Sequence, residues 1–239
     1  MEHAVMDWAT NGGPAGHKGT GHADARPRKY FIADDHPSTT FAVLQLLSTV
    51  FAVPDSHCII FHESAVLLDA CANHPGDETL LVVLDLVMPG KLKRARLVHA
   101  VMAADPTAQV LVYTAEESAF LANAVFQVGA LGYVAKTSAA TELAHAIEAV
   151  GSGCRYLDSR IDLDSIKAHP WTSLTDAEKS ILLAFSRGEK AAEIGERTGR
   201  SYSTVMTHKY SGLAKLGLRD GSDLLSYLYA HGLHFELET

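Results

Sequence analysis

No stretch of about eighteen consecutive apolar residues occurs in the 239-residue chain, so no membrane-spanning helix is expected. The opening residues, Met1 to Trp8, have neither the basic start nor the apolar run of a secretion signal. Cysteine is scarce. Cys58, Cys71 and Cys154 are odd in number and lack metal-binding spacing, which excludes a disulfide scaffold and reads as reduced thiols in a cytoplasmic protein. Basic residues are outnumbered, 20 against 28 acidic, and the formal net charge of −8 excludes a uniformly basic coat for nucleic acid. What the chain does have is apolar content. At 47% hydrophobic residues it can bury real cores, and its length suits two domains better than one. Wholesale disorder and collagen-like architectures are excluded.

The charge is unevenly spread. Residues 28–150 carry seven basic and thirteen acidic groups, a net of −6, whereas residues 171–239 carry eight and nine, a net of −1. Inside that last block Arg197, Arg200, Lys209, Lys215 and Arg219 fall in a stretch with no acid at all. Residues 1–27 are rich in Gly, His and Ala and read as a flexible tail, in which the irregular spacing of His3, His17 and His22 favours solvation over metal binding.

From Lys29 onward short apolar runs alternate with helical patterns. Strands are expected at Tyr30–Ala33, Cys58–Phe61, Leu80–Leu84, Val110–Tyr113 and Tyr133–Ala135. The unbroken run Leu80–Leu84 fits a central parallel strand covered on both faces. Helices follow each strand, the first with Phe41, Leu44, Leu47 and Val50 as its apolar stripe. Five strand–helix units predict a doubly wound α/β domain of flavodoxin-like order over 28–150, whose ligands bind beyond the carboxyl ends of the strands. Residues 151–170 read as a linker. Residues 171–239 read as four helices with no strand, opening on the capping box of Thr175 and Glu178.

Chemistry concentrates at those carboxyl ends. Asp34 and Asp35 follow the first strand and Asp85 closes the third, so three carboxylates converge on one edge. Like charges this close raise one another's pKa, and a hard divalent cation relieves the conflict. Mg2+, which takes one or two carboxylates plus a phosphate oxygen, suits the set. Thr114 ends the fourth strand and Lys136 follows the fifth, adding a hydroxyl and an ammonium. That combination suits phosphoryl transfer to a carboxylate. A single aspartate at a strand end is ordinarily a turn residue; five such groups at one edge are not.

The segments Ile32 to Pro37, Leu84 to Gly90, Tyr113 to Ala115 and Gly132 to Lys136 resemble the receiver domain of bacterial response regulators, and the Asp34-Asp35-His36-Pro37 form resembles the NarL/LuxR-type subfamily. The resemblance implies that Asp85 accepts phosphate from a sensor histidine kinase or phosphotransfer protein. It implies that Asp35, Asp85 and the main-chain carbonyl of Val87 hold magnesium, with Asp34 acting mostly through water, that Thr114 and Lys136 bind the phosphoryl group, and that Tyr133 is an aromatic switch turning inward when Thr114 is drawn toward the phosphate. One departure is the basic run Lys91 to Arg96, where the family places an acid and a glycine. It reads as a solvated helix start, or as cations that flank the pocket and alter phosphoryl lifetime or kinase choice. An aspartyl phosphatase on the same fold is disfavoured, because Val87 stands where such enzymes place a second acid.

In the last block, helices at 190–198 and 202–216 joined by Gly199-Arg200-Ser201 form a helix-turn-helix pattern, with Val205, Leu213 and Leu216 facing inward. Leu174, Thr175, Glu178, Glu193, Ile194, Ser201, Thr204, Val205, His208, Lys215, Leu216 and Gly217 together resemble a LuxR-type DNA-binding domain, and Asp223 to Leu228 loosely resembles the RcsB branch. The DNA contacts expected are Ser203, Thr204, Met206, Thr207, Lys209 and Tyr210. Relatives often carry Lys or Arg at 206, 209 and 210, and here only Lys209 is basic. The chain is therefore expected to be a phosphorylation-controlled, DNA-binding transcription regulator, not an enzyme, which pairs as a homodimer. The alternative is a partner-binding or phosphorylation-independent regulator with weak direct DNA binding.

Overall fold

The computed structural model describes residues 29–75 and 78–238. The tail over 1–27, with His3, His17 and His22, lies outside them. The elements fall into two compact units, one of residues up to Glu117 with Ala122–Ile161, the other of Ser118–Leu121 with Asp162–Thr239.

The first unit is a parallel sheet in the order β2-β1-β3-β4-β5-β6, with β1 Lys29–Ala33, β2 Cys58–Phe61, β3 Leu80–Leu84, β4 Gln109–Thr114, β5 Gly132–Ala135 and β6 Tyr156–Leu157. Helices α1 Pro37–Phe51, α2 Ser64–Ala72, α3 Arg94–Ala104, α4 Ala119–Gln127 and α5 Ala140–Gly151 make the crossovers. All five residues of β3 are buried, as its uninterrupted apolar run requires between β1 and β4. Such runs can form strands here because the crossover helices cover both faces.

Two expectations need correction. The stretch 151–170 is not a plain linker. Tyr156 and Leu157 pair with Gly132 and Tyr133 as a sixth strand, and a short helix α6 follows at Asp164–Lys167. Asp158, fully buried, closes this edge: its Oδ2 accepts the Ala135 amide at 2.9 Å and the Ser138 hydroxyl at 2.6 Å. The stripe of α1 is also different. Thr40, Val43 and Leu47 face the sheet, while Phe41 and Val50 are 62% and 58% exposed. The helix is apolar on more than one side, so a stripe counted from Phe41 has the same helical spacing as the one that packs.

The second unit is helical, with α7 Asp176–Ser186, α8 Ala191–Thr198, α9 Tyr202–Lys215 and α10 Leu224–Ala230. Gly199 ends α8 in the left-handed region at φ 66°, and Ser201 caps α9 by accepting the Thr204 amide. Trp171, Leu182, Leu213 and Leu228 form its core. Gly212, in the middle of α9, lets α7 approach: a Cβ there would stand 2.8 Å from Leu182 Cδ1. That contact explains a residue that costs about 1 kcal/mol of helix propensity against Ala.

The expected capping box of α7 is present and extends into a buried network. Glu178, 3% exposed, accepts the Thr175 amide at 2.8 Å, the Lys215 ammonium at 2.7 Å and the Ser211 hydroxyl at 2.6 Å. Burial alone would raise its pKa. The bonds from Lys215, Ser211 and Thr175 outweigh that and hold it at about 2, below the ordinary 4.5. A carboxyl depressed on folding stabilises fully above its unfolded pKa and loses that contribution as pH falls through the folded one. Glu178→Gln is therefore expected to destabilise the helical unit at neutral pH by an amount on the order of 3 kcal/mol. The gap to the parent chain should close between pH 4.5 and 2. Denaturant titration followed by Trp171 fluorescence, in a Trp8→Phe background, measures this; a gap constant across that range would remove Glu178 from the linkage.

Candidate functional site

The pocket is made by extending the sheet one residue beyond its strands. The Asp34 amide donates to the Phe61 carbonyl at 3.0 Å, Asp85 to Ala33 at 2.8 Å, and Lys136 to Thr114 at 2.7 Å. These bonds bring Asp34, Asp85, Thr114 and Lys136 to one edge. Asp34, Asp85 and Thr114 are 3%, 5% and 1% exposed.

Lys136 Nζ lies 2.6 Å from Asp34 Oδ2 and 2.8 Å from Asp85 Oδ2. Burial pushes its pKa down, but the hydrogen bonds and charges of the two carboxylates outweigh this and leave it above the ordinary lysine value. Asp34, Asp35, His36 and Asp85 bring one ligand atom each within 4.8 Å of one another. Asp35 Oδ1 is buried and makes no hydrogen bond. His36 Nδ1 stands 3.0 Å from it, but its hydrogen bond is with Asp34 Oδ1, at 3.1 Å. A buried carboxylate oxygen without a donor, in a set of carboxylates, fits a hard cation. Val87 follows at the rim, its amide reaching Asp85 Oδ1 at 3.4 Å. Receiver domains in general bind Mg2+ in an acidic pocket of this kind.

The loop after β4 is held from two sides. Tyr133 is fully buried, in the inward position, and its hydroxyl donates to the Glu116 carbonyl at 2.6 Å. Burial first, and the nearby Glu116 charge second, push its pKa up. Arg94 grips the Glu116 carboxylate with Nε at 2.9 and 3.0 Å and Nη2 at 2.6 Å. It does so from a left-handed backbone, φ 53°, which is unusual for a non-glycine residue. The basic run at 91–96 is thus only partly a solvated helix start: Arg94 is paired, and Lys93 Nζ donates to the Met88 carbonyl at 2.7 Å. Gly90, at φ 135°, lets that loop touch α2, where any Cβ would stand 1.8 Å from Ser64 Oγ.

Sequence reasoning did not single out Glu116, Arg94 or Asp158 as supports of the site. His36 was visible within its motif. Glu116 acts on Tyr133 through its main chain, and Asp158 comes from the stretch read as linker, so neither carried a residue-type signal.

In the helical unit α9 carries every expected DNA contact, but not equally. Ser203, Thr204, Thr207 and Tyr210 are exposed, and Met206 is half-buried against the cluster of Ile181, Ile194 and Val205. Lys209 is also half-buried, its Nζ 4.2 Å from the centre of the Phe185 ring on α7. Of the cations at 197–219, Arg197 pairs with Glu189 at 2.8 Å and Lys215 with Glu178.

Comparison with known proteins agrees with both halves. Residues 30–148 match the response regulator receiver domain, and residues 172–228 match the bacterial regulatory proteins of the luxR family. Response regulator UvrY of Escherichia coli strain K12 is 27% identical over 213 residues, covering 84% of this chain and 94% of that protein. Transcriptional regulatory protein RcsB of the same strain is 28% identical over 206 residues, covering 82% and 92%. The structure of an RcsB–DNA complex superposes with a TM-score of 0.59 at 26% identity, covering 85% of this chain and 98% of that one. A structure of two RcsB dimers bound to two parallel DNAs gives 0.60 at 26% identity, over 85% and 98%. No helix among the described residues is long and apolar enough to cross a membrane. A receiver pocket on a parallel sheet, joined in one chain to a LuxR-type helix-turn-helix, places this protein among the NarL/LuxR-type response regulators, which are DNA-binding transcription regulators and not enzymes.

Proposed function

We propose that Asp85 accepts a phosphoryl group from a sensor histidine kinase or phosphotransfer protein, in the cytoplasm, and that this controls pairing of the chain and its grip on double-stranded DNA. The observation that carries the reading is Lys136, whose ammonium reaches both Asp34 and Asp85 across the pocket. An Asp85 carboxylate oxygen attacks the phosphorus of a phosphohistidine, the P–N bond breaks, and the imidazole leaves with the electron pair. Asp34, Asp35, Asp85 and the Val87 carbonyl would hold Mg2+, which supplies positive charge toward the phosphoryl oxygens. Lys136 pairs with the same charge from the other side, and the Thr114 hydroxyl donates to it.

The new group adds roughly −1.5 to −2 of charge beside carboxylates already present. Tyr133 already lies inward, so drawing Thr114 toward the new group leaves that ring closer packed and stabilises the arrangement in which it holds the Glu116 carbonyl. The surface of α4, β5 and α5, around 122–129 and 139–146, is then the pairing face of a two-fold dimer. Two copies of α9 would meet half-sites about one DNA turn apart, and avidity would raise affinity with no new base contact. The relatives' structures, RcsB dimers among them, support this arrangement.

Two measurements test it. With acetyl phosphate and magnesium, the parent chain should form a hydroxylamine-labile phosphate by mass spectrometry, and Asp85→Asn should form none because an amide cannot act as this nucleophile. Labelling that persists in the variant would move the acceptor elsewhere. Analytical ultracentrifugation should show a shift from monomer to dimer on adding beryllofluoride, with a matching gain in DNA affinity. An unchanged monomer with unchanged affinity would favour the partner-binding, phosphorylation-independent alternative.

A further inference from the structure

The geometry points to α9 reading DNA through carbon, by apolar contact of Met206, Thr207 and Tyr210 with thymine methyl groups, and not through a cation directed at guanine. This rests on the DNA-binding reading above and goes beyond it to the kind of base that the helix selects.

Three observations converge. The one basic residue among the expected DNA contacts is folded back. Lys209 stands over the Phe185 ring, and a Cβ on Gly221 would lie 3.4 Å from its Cε, so its stem is packed between α7 and the loop after α9. Lys209 also contributes to the low pKa of Asp220, after that carboxylate's bonds from Ser222. The hydroxyls of the exposed face are engaged locally as well. Ser201 Oγ bonds the Ser203 hydroxyl at 2.9 Å and the Thr204 hydroxyl at 2.8 Å. Thr207 donates its hydroxyl to the Ser203 carbonyl at 2.8 Å. The apolar groups on the exposed part of α9 are therefore the Thr207 methyl, the Met206 thioether at its margin, and the rings of Tyr202 and Tyr210, which are 63% and 58% exposed. Two tyrosines this exposed on one helix suit an interface, where a large ring contributes area and its hydroxyl meets water or phosphate.

Base chemistry then selects. Guanine presents N7 and O6 in the major groove, two acceptors best met by Arg or Lys, whereas thymine adds a C5 methyl that apolar side chains contact. Among the described residues of the 197–219 stretch, Arg200 and Arg219 carry the exposed cations without an ion pair within 4 Å. They flank α9 at its two ends, where phosphates are met.

The test uses the full chain with beryllofluoride and duplexes selected from a random-centre library, followed by fluorescence anisotropy. Each thymine of the selected half-site is replaced by deoxyuridine, which removes only the methyl. Loss of one buried methyl should weaken binding about fourfold. Thr207→Ser, which keeps the hydroxyl and its bond to the Ser203 carbonyl, or Met206→Ala should erase the thymine preference at one position each. Lys209→Ala should leave the slope of log affinity against log salt close to that of the parent. Uracil duplexes that bind as tightly as thymine duplexes would overturn the inference while leaving DNA binding intact. So would a drop of about 0.9 in the salt slope for Lys209→Ala, since it would show that Lys209 swings out to a phosphate. A dimer lost on Tyr202→Ser with Tyr210→Ser, with DNA affinity unchanged, would assign the tyrosines to a second copy of the chain instead. Failure to select any duplex would overturn the DNA-binding reading itself.

Discussion

Three carboxylates at the end of one sheet repel, and the first unit is organised around that repulsion. Asp34 and Asp85 are nearly fully buried and are brought together by ladder bonds that fold the backbone, not by any attraction between them. Lys136 is the counterweight. Its ammonium sits between the two, so the pocket is neutralised in part by a group that belongs to the opposite side of the sheet edge. Breaking a buried pair by removing one partner leaves an uncompensated charge, which costs far more than the pair itself contributes. The loops that carry these groups are consequently held firmly: Gly90 against α2, Glu116 between Arg94 and Tyr133, and Lys136 next to an amide anchored on Asp158.

The helical unit solves a related problem with the opposite sign of outcome. Glu178 is buried, yet it is supplied with donors from α7's own cap and from α9, so one carboxylate ties the helix that supports the fold to the helix that faces outward. Gly212 brings the same two helices into close contact beside that carboxylate, where a Cβ would meet Leu182 and the Glu178 stem. The orientation of α9 is thereby set by α7 at two points. Its outward chemistry is set by what remains after Lys209 and Lys215 have been drawn into internal contacts.

Much of this could be read from the chain before any coordinates. The continuous apolar run of β3 and the punctual appearance of Asp34, Asp35, Asp85, Thr114 and Lys136 at strand ends carry a strong pattern, because a parallel sheet buries both faces and collects its chemistry at one edge. The capping box at Thr175 and the glycine stop at 199 are equally local signals. Tertiary packing was harder to see. Nothing in the spacing of α1 distinguishes Phe41 from Thr40, since only the curvature and neighbours of the sheet decide which stripe is covered. Lys209 looks like an outward cation until Phe185, 24 positions earlier, is placed beneath it. Glu116 works through a main-chain oxygen that any residue type would offer.

The sixth strand has a consequence for where this protein can be divided. A receiver cut after the last crossover helix, near Val150, would keep Asp34, Asp85, Thr114 and Lys136 and still lose Asp158. The Ala135 amide and the Ser138 hydroxyl, which flank Lys136 in sequence, would lose their shared acceptor. The first compact unit therefore runs on through Ile161 and does not stop at the end of α5. Grafting this receiver onto another output domain, or exchanging it for a different sensor-facing half, would have to carry the Tyr156–Ile161 segment along as part of the acidic pocket's own scaffold.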